Sequence, residues 1–213
     1  MKGAIFDMDG VLFDTEALWQ ICWNKAAARR GITLPDSFRK DICGSSEKMP
    51  AIVSHYYHTD EPLPLIQEVY EDLLKLRSKG LPEKEGIHTV LPALREMGFK
   101  IAVASSSPTE LILQNLKEAG IEMYFDEITS GQEVKHGKPA PDIFLLAAER
   151  LKLPAEECYV FEDAYNGIYA ASAANTRPIM VVDLSEPDEE MYRLSHFVTR
   201  SLPEALEKIK EEM

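Results

Sequence analysis

Ala4-Ile5-Phe6-Asp7-Met8-Asp9-Gly10-Val11 joins a short apolar run to two carboxylates, two residues apart, and a glycine. The apolar run predicts a strand, and the glycine predicts a turn at its end. Two carboxylates in this position suit an enzyme that attacks phosphorus through one carboxylate and transfers a proton with the other. They also suit a hard cation, which prefers oxygen ligands. The stretch therefore predicts further partners in the chain: a hydroxyl, a cationic side chain and more metal ligands.

The composition is that of a folded protein. The chain has 213 residues, of which 45% are hydrophobic, enough for one medium domain or for a core with an inserted subdomain. No apolar run reaches the roughly 18 residues that span a bilayer, and no secretory signal fits a chain whose candidate chemistry begins at Asp7. The three cysteines, Cys22, Cys43 and Cys158, are far apart and form no CxxC pair. We therefore expect reduced thiols and a cytoplasmic location.

The net charge of −13 restricts the possible partners. A strongly acidic surface repels nucleic acid and anionic membranes, so we expect neither as a partner. The same surface would repel a phosphorylated metabolite, and such a substrate therefore needs a local cationic site made of a metal ion and a lysine. The apolar pattern leaves no surface stripe unassigned, and we expect a monomer or a weak homo-oligomer.

Short apolar strands alternate with amphipathic helices from about residue 81 onward. Strands are predicted at residues 2–6, 99–104, 127–129, 159–161 and 179–182. Helices are predicted at residues 87–97, 108–119, 140–151 and 165–174, with a closing helix over 204–213. This alternation is typical of a doubly wound α/β fold with a parallel sheet.

Residues 15–80 contain no predicted strand and form a helical insert after the first strand. Gly31 and Gly80 each follow a basic turn, as glycines do at helix ends. Apolar side chains near the end of the insert recur at the spacing of one helix face. They are Ile66, Val69, Tyr70, Leu73 and Leu74. We therefore predict a core of residues 1–14 and 81–213 and an all-helical domain at residues 15–80.

Polar side chains directly follow four of the predicted strands. In chain order they are Asp7 and Asp9, Ser105-Ser106-Ser107, Lys135 and Lys138, and Glu162-Asp163. Ligands bind at the carboxyl ends of the strands in a sheet of this type. We therefore expect these side chains to meet at one edge of the sheet.

The chain resembles the haloacid dehalogenase superfamily of phosphohydrolases over nearly its whole length. Within the superfamily it is similar to the subgroup that contains β-phosphoglucomutase and small sugar-phosphate phosphatases. Four motifs carry the resemblance: DMDGVLFDTE at 7–16, VASSS at 103–107, GKPAPDIF at 137–144 and FEDAYNG at 161–167. The resemblance implies a Rossmann-like core with an inserted all-helical cap domain.

The resemblance also implies catalytic roles. Asp7 would be the nucleophile that forms an aspartyl-phosphate, and Asp9 the general acid and then the base that activates water. A true dehalogenase of this type needs neither the second aspartate nor a metal, so Asp9 favours phosphoryl transfer. Ser105, supported by Ser106, would bind the phosphoryl oxygens. Lys138 would stabilise the charge on the nucleophile and on the transferring group.

A magnesium ion is the cofactor that the resemblance implies. Asp163 would be a direct ligand, together with Asp7 and the backbone carbonyl of Asp9. Glu162 is a ligand in some relatives and not in others. Mg²⁺ prefers octahedral oxygen coordination and retains waters, so few carboxylates suffice. The alternative for residues 162 and 163 is that they only cap the next helix.

The helical insert is expected to determine the choice of substrate. Mutase relatives carry a histidine on the first insert helix, and Trp19 aligns with it; the tryptophan could form an apolar wall for the substrate or belong to the core of the insert. Those relatives also carry an arginine that binds a second phosphate, and Glu47 aligns with it, next to Lys48. Lys48 could replace the arginine if the alignment shifts by one residue.

His55 and His58, at i and i+3 on a predicted helix, could suggest a metal-binding pair. No third metal ligand is evident in the sequence, and we interpret them as a solvated or interhelical face.

We therefore predict a magnesium-dependent phosphohydrolase that acts on a small phosphorylated metabolite, such as a sugar phosphate, through an aspartyl-phosphate intermediate. Two alternatives within the same chemistry remain: a phosphomutase of the β-phosphoglucomutase type and an inorganic pyrophosphatase. A third alternative is a non-catalytic binding protein on the same fold.

Overall fold

The computed structural model describes residues 2–42, 48–77, 80–184 and 186–213. Cys43 and Glu47, which the sequence analysis singles out, lie outside these ranges. The chain divides into two compact units. One unit contains the residues up to Phe13 together with Glu83–Met213, and the other is Asp14–Pro82.

The first unit is built on a six-stranded sheet in which every strand pair is parallel. The strands are β1 Gly3–Phe6, β2 Lys100–Ser105, β3 Glu127–Ser130, β4 Cys158–Glu162, β5 Arg177–Val181 and β6 Phe197–Thr199. Their order across the sheet is β3-β2-β1-β4-β5-β6. Strand β1 is therefore central, with β2 on one side and β4 on the other, and all four of its residues are buried. Continuous burial is typical of a parallel strand that is covered on both faces.

Helices of the first unit follow the strands and pack on the sheet. They are α5 Ile87–Glu96, α6 Thr109–Glu118, α7 Asp142–Leu151, α8 Tyr165–Ala173, α9 Glu189–Leu194 and α10 Leu202–Glu212. Helices α7 and α8 share a buried apolar cluster with Ile5, Ala102 and Val160 of the sheet. Phe6 and Phe161 are the next residues along β1 and β4, so their side chains lie on the other face of the sheet. Their rings stack with the centroids 4.2 Å apart. This packing holds the carboxyl ends of β1 and β4 next to each other.

The described residues of the second unit form helices and the loops that connect them. Its helices are α1 Thr15–Ala28, α2 Asp36–Ile42, α3 Met49–Tyr57 and α4 Pro62–Arg77. Asp14 begins α1 by accepting a hydrogen bond from the backbone N–H of Ala17 at 3.1 Å, which is the usual role of an N-cap carboxylate. Trp23 is the centre of the core: its ring contacts Phe38, and Tyr57 donates to its carbonyl at 2.7 Å.

The predicted fold class is confirmed, with three differences in detail. Strand β6 and helix α9 are absent from the prediction, because a three-residue edge strand and a six-residue helix give too little periodicity to detect. The buried face of α4 consists of Leu65, Val69 and Leu73, whereas the predicted members Tyr70 and Leu74 are exposed.

The third difference concerns His58, which ends α3 in the left-handed conformation, with φ of 52°, and does not continue the helix that carries His55. Both histidines are exposed. This agrees with a solvated position rather than a metal pair. Within the described ranges, no helix combines the length and the apolar character needed to cross a membrane.

Candidate active site

Asp7 lies directly beyond the central strand, where it is almost fully buried. Its backbone N–H donates to the carbonyl of Phe161 at 2.9 Å, which continues the β1–β4 pairing by one residue. The hydrogen bond fixes the backbone of Asp7 against the end of β4. Its carboxylate thereby shares a site with Glu162, the last residue of β4.

Lys138 brings two carboxylates from different strands together. Its ammonium group forms ion pairs with Asp7 Oδ1 and with Glu162 Oε1, the latter at 2.5 Å. The lysine side chain is 10% exposed and Glu162 is 1% exposed. The ring of Phe144 on α7 lies 4.9 Å from the ammonium nitrogen. A buried lysine with these neighbours is held as a fixed positive charge.

Lys135, the nearby competitor in the sequence, is exposed. The loop that carries Lys138 is closed by hydrogen bonds rather than by regular structure. Ala140 N donates to Gly137 O at 3.0 Å, and His136 N donates to Asp142 Oδ1 at 3.3 Å. The buried ion pairs of Lys138 with Asp7 and Glu162 favour it over the exposed Lys135 as the functional lysine.

Asp7, Glu162 and Asp163 form a group of carboxylates with metal-site spacing. One oxygen of each lies within 4.8 Å of the others. Glu162 Oε2 also accepts hydrogen bonds from the backbone N–H of Asp163 and Ala164, at 3.1 and 3.3 Å. Three carboxylate oxygens in one place fit a hard divalent cation such as Mg²⁺. The group resembles a cation site more than a helix cap, since α8 has no side-chain cap.

Two glycines leave room for these carboxylates. Gly10 has φ of +85°, and a Cβ atom there would overlap the carboxylate of Asp163. A Cβ atom at Gly167 would overlap the carboxylate of Glu162. The glycines in the DMDGV and EDAYNG segments are thus explained by the space that the acidic side chains occupy.

The electrostatics of the group show an excess of negative charge. Burial raises the pKa of Asp7 to about 7; Lys138 opposes this shift, and Glu162 adds to it. Burial, followed by the charges of Glu162 and Asp7, raises the pKa of Asp163 well above its usual value. Burial acts to lower the pKa of Lys138, but the two carboxylates raise it above its usual value. The site thus contains three carboxylates and one ammonium group, which contacts two of them, and this excess of negative charge favours binding of a further cation.

The serine segment after β2 lies at the same edge of the sheet. Ser105 is buried, and its Oγ accepts from the backbone N–H of Ser107 at 3.1 Å. Ser106 is exposed. The hydroxyl of Ser107 donates to Asp9 Oδ2 at 3.4 Å. Sequence reasoning assigned no role to Ser107, because its contact with Asp9 depends on the pairing of β1 with β2.

The Asp9 side chain is half-buried and lies outside the three-carboxylate group. Its predicted contribution to metal binding was through the backbone carbonyl, and that remains a prediction. The carboxylate is instead placed next to a hydroxyl. Asp7 and Asp9 thus have different surroundings, as expected for two carboxylates with different roles.

The remaining predicted residues belong to the helical unit. Trp19 is half-buried and packs on Trp23 and Tyr70, with centroid distances of 6.2 and 5.0 Å. Lys48 is exposed directly before α3 and borders a surface depression with His55. Trp19 therefore packs on the core of the helical unit, and contact of either side chain with a substrate stays a prediction.

The fold and the arrangement of acidic, basic and hydroxyl groups define a class of α/β enzyme that handles phosphate esters. A family model described as haloacid dehalogenase-like hydrolase matches residues 4–181. The chain belongs to this family. It is 32% identical to a phosphorylated carbohydrates phosphatase of Thermotoga maritima over 215 aligned residues, which cover 100% of both chains.

Two solved structures support the same assignment. A hydrolase of the family from Deinococcus radiodurans, crystallised with bound phosphate and sodium, has a TM-score of 0.83 and 25% identity, covering 99% of this chain and 96% of that one. A β-phosphoglucomutase from Clostridium difficile has a TM-score of 0.72 and 26% identity, with 99% and 96% coverage. The predicted family and the prediction of a phosphatase-type enzyme are confirmed.

Proposed function

We propose that the protein is a magnesium-dependent phosphohydrolase that cleaves a small phosphorylated metabolite, of the sugar-phosphate class, through an aspartyl-phosphate intermediate. The observation that carries the proposal is the buried contact of Lys138 with both Asp7 and Glu162, next to Asp163. This arrangement provides a fixed cation, a carboxylate nucleophile and ligands for a metal in one place.

The first chemical step transfers the phosphoryl group to Asp7. A carboxylate oxygen of Asp7 forms a bond to phosphorus while the bond from phosphorus to the leaving alcohol breaks, and Asp9 gives its proton to that alcohol. Water then attacks phosphorus, Asp9 takes the proton of the water, and Asp7 is released. Lys138 holds the nucleophile and stabilises charge on the transferring group. The buried Ser105 supplies a hydroxyl for the phosphoryl oxygens.

Magnesium would be held by Asp7, Asp163 and the carbonyl of Asp9, with Glu162 as a further ligand or neighbour. It would neutralise charge on the phosphate and on the carboxylates. The relative from Deinococcus was crystallised with bound phosphate and sodium, which supports binding of phosphate and of a cation by a protein of this fold. The excess negative charge around Lys138 supports the same assignment.

The substrate class is proposed from the relatives and from the charge of the chain. The relative from Thermotoga is named for phosphorylated carbohydrates. A net charge of −13 makes large polyanionic partners unfavourable. We assign the choice among phosphate esters to the helical unit, with Trp19 and Lys48 as candidate contacts, and we propose a cytoplasmic monomer or weak homo-oligomer.

Replacement of the nucleophile tests the proposal. We expect a panel of sugar phosphates, nucleotides, phosphoglycolate and pyrophosphate to reveal magnesium-dependent phosphate release by the natural protein. Asp7→Asn should lower that rate by at least about 10³-fold, because covalent catalysis is lost. Intact-mass analysis of acid-quenched reactions should show a phosphorylated natural protein and an unmodified variant. An Asp7→Asn protein with full magnesium-dependent activity would contradict the proposal.

A phosphomutase is the second candidate, favoured by the structural likeness to the β-phosphoglucomutase from Clostridium difficile. The two activities differ in whether the phosphoryl group on Asp7 goes to water or to a second sugar hydroxyl. Incubation with glucose 1-phosphate and a trace of the bisphosphate distinguishes them. Isomer conversion without release of phosphate would establish the mutase, and release of phosphate alone would establish the phosphatase.

A further inference from the structure

Ser107 lies two residues beyond the end of β2, and its hydroxyl contacts Asp9, the carboxylate that the proposed function uses as acid and base. Its Oγ donates to Asp9 Oδ2 at 3.4 Å, across 98 residues of sequence. Catalytic hydrogen bonds are often long in a protein without substrate and shorten when substrate binds. We propose that Ser107 is a positioning residue that orients Asp9 for proton transfer. The inference rests on the proposed function.

The backbone of Ser107 is fixed from two sides. Its carbonyl accepts a hydrogen bond from the Ser130 hydroxyl at 2.7 Å, and its N–H donates to Ser105 Oγ at 3.1 Å. Ser130 is completely buried at the end of β3. Gly131 adds a close contact, since a Cβ atom there would lie 3.0 Å from the Cα atom of Ser106. These contacts fix the backbone of the serine segment, so that the Cα atom of Ser107 has little freedom to move away from Asp9.

Ser130 is itself held by a further layer of contacts. Its N–H donates to Glu133 Oε2 at 2.8 Å, and its Oγ accepts from Gln132 N at 3.2 Å. Arg150 of α7 binds both carboxylate oxygens of Glu133, at 2.7 and 3.0 Å, and the carbonyl of Ile128 at 2.6 Å. A continuous series of hydrogen bonds thus runs from α7 through β3 to Ser107. Such a support defines the position of a catalytic group more tightly than a loop alone would.

The contact with Asp9 suits a group that must both give and take a proton. A hydroxyl that donates to Oδ2 stabilises the carboxylate and leaves Oδ1 to carry the transferred proton. In the first step this proton goes to the oxygen of the leaving alcohol, and in the second step Asp9 takes a proton from the attacking water. Ser107 neither gains nor loses a proton in either step. Its contribution is the direction of the Asp9 carboxyl group.

The dependence on the leaving group separates this role from direct phosphate binding. An alkyl phosphate such as fructose 1-phosphate needs a proton on its leaving oxygen, whereas p-nitrophenyl phosphate releases p-nitrophenolate, which departs as a stable anion without a proton. The kcat/KM value reports the step in which the leaving group departs. We expect Ser107→Ala to lower kcat/KM for fructose 1-phosphate by about tenfold, a part of the roughly 10²–10⁴-fold that a positioned acid contributes. For p-nitrophenyl phosphate we expect a loss of less than about twofold.

Five further variants make the result specific. Ser107→Thr keeps the hydroxyl and should restore the alkyl phosphate rate. Asp9→Asn should show a larger loss with the same preference for the alkyl phosphate, and adding Ser107→Ala to it should cause no further selective loss. Ser130→Ala should lower the same rate in the same selective way. Ser172→Ala on α8 removes a distant hydroxyl and should leave both rates unchanged.

The outcomes separate this inference from the proposed function. Equal losses on the two substrates, or no loss on either, would overturn the role of Ser107 while phosphorylation of Asp7 stays intact. A natural protein that releases no phosphate and forms no phospho-enzyme would instead overturn the proposed function. Thermal unfolding of each variant shows whether a loss of rate reflects a loss of folded protein.

Discussion

Gly10 shows how a single residue without a side chain supports the acidic site. Its φ of +85° is strained for other residues, and its α-carbon faces the carboxylate of Asp163. Gly98, beyond α5, has nearly the same φ of +81°, but no atom of the described residues lies within 4 Å of the place its Cβ would take. The two glycines therefore have the same backbone requirement and differ only in whether a functional side chain occupies the adjacent space.

This pair allows a matched test. Gly98→Ala should lower the free energy of unfolding by about 1–2 kcal/mol, the usual cost of a left-handed residue, with phosphatase activity retained. Gly10→Ala should lower the free energy of unfolding by the same amount. It should also displace Asp163, so that the rate of phosphate release at low magnesium falls by at least about tenfold. Urea unfolding and a magnesium titration of activity measure the two effects. Equal activity of both variants would show that the contact with Asp163 has no functional importance.

The sequence identifies the acidic and basic residues of the site but not all of the contacts among them. Lys138 is recognisable because the GKPAPDIF segment resembles a family motif, although it meets Asp7 across 131 residues. Ser107 carries no comparable signal, since any of three consecutive serines could cap the next helix. Its position opposite Asp9 follows from the pairing of β1 with β2 and from Ser130 on β3. Contacts of this kind require the fold.

At the scale of elements, helix α4 shows the limit of periodicity. Ile66, Val69, Tyr70, Leu73 and Leu74 fit one helix face, but the buried stripe runs through Leu65, Val69 and Leu73. A pattern that includes both i+3 and i+4 neighbours is wider than the surface that the other helices cover, so the residues at its margin stay exposed. The strands of the core were easier to predict, because the buried central strands are almost uniformly apolar.

Leu73 and Leu74 therefore should respond differently to the same change. Leu73 is 6% exposed and Leu74 is 65% exposed. We expect Leu73→Ala to destabilise the helical unit by about 2–5 kcal/mol, through lost burial and a cavity. Leu74→Ala should change the free energy of unfolding by less than about 0.5 kcal/mol. Both tryptophans of the chain, Trp19 and Trp23, lie in this unit, so their fluorescence during urea unfolding reports on it directly. Equal effects would mean that the buried face of α4 is assigned incorrectly.

At the scale of the whole molecule, the sheet gathers negative charge that the protein does not neutralise. The ends of β1 and β4 bring three carboxylates together, two of which contact Lys138, in a chain whose net charge is already −13. Asp7 and Asp163 oppose folding when they are ionised, because burial and neighbouring negative charges raise the pKa of each above its usual value. A cation bound there would relieve that repulsion and would couple function to stability at this site.

The variant Asp163→Asn separates the effect of this carboxylate on stability from its effect on function. The pKa of Asp163 is raised in the folded protein from a reference value of 3.8, so the native state binds more protons than the unfolded state, and the stability due to this group falls as pH rises through the folded pKa. Removing the charge should thus stabilise the metal-free protein at about pH 8, by about 1 kcal/mol or roughly 2–4 °C in Tm. At about pH 4 the gain should disappear, because the carboxyl group of the native protein is then protonated.

Magnesium should reverse the order of stability at pH 8. The natural protein should gain Tm with rising magnesium, as any ligand that binds only the folded state requires, and Asp163→Asn should gain much less. Asp60→Asn changes the net charge by the same amount at an exposed position of the helical unit and controls for the overall charge. In metal-free solution at pH 8, Asp163→Asn could instead unfold at a lower temperature than the natural protein and Asp60→Asn. Asp163 would then be held by contacts that outweigh its repulsion by the neighbouring carboxylates. The acidic group would in that case be a structural cluster rather than a site that is stabilised by its cation.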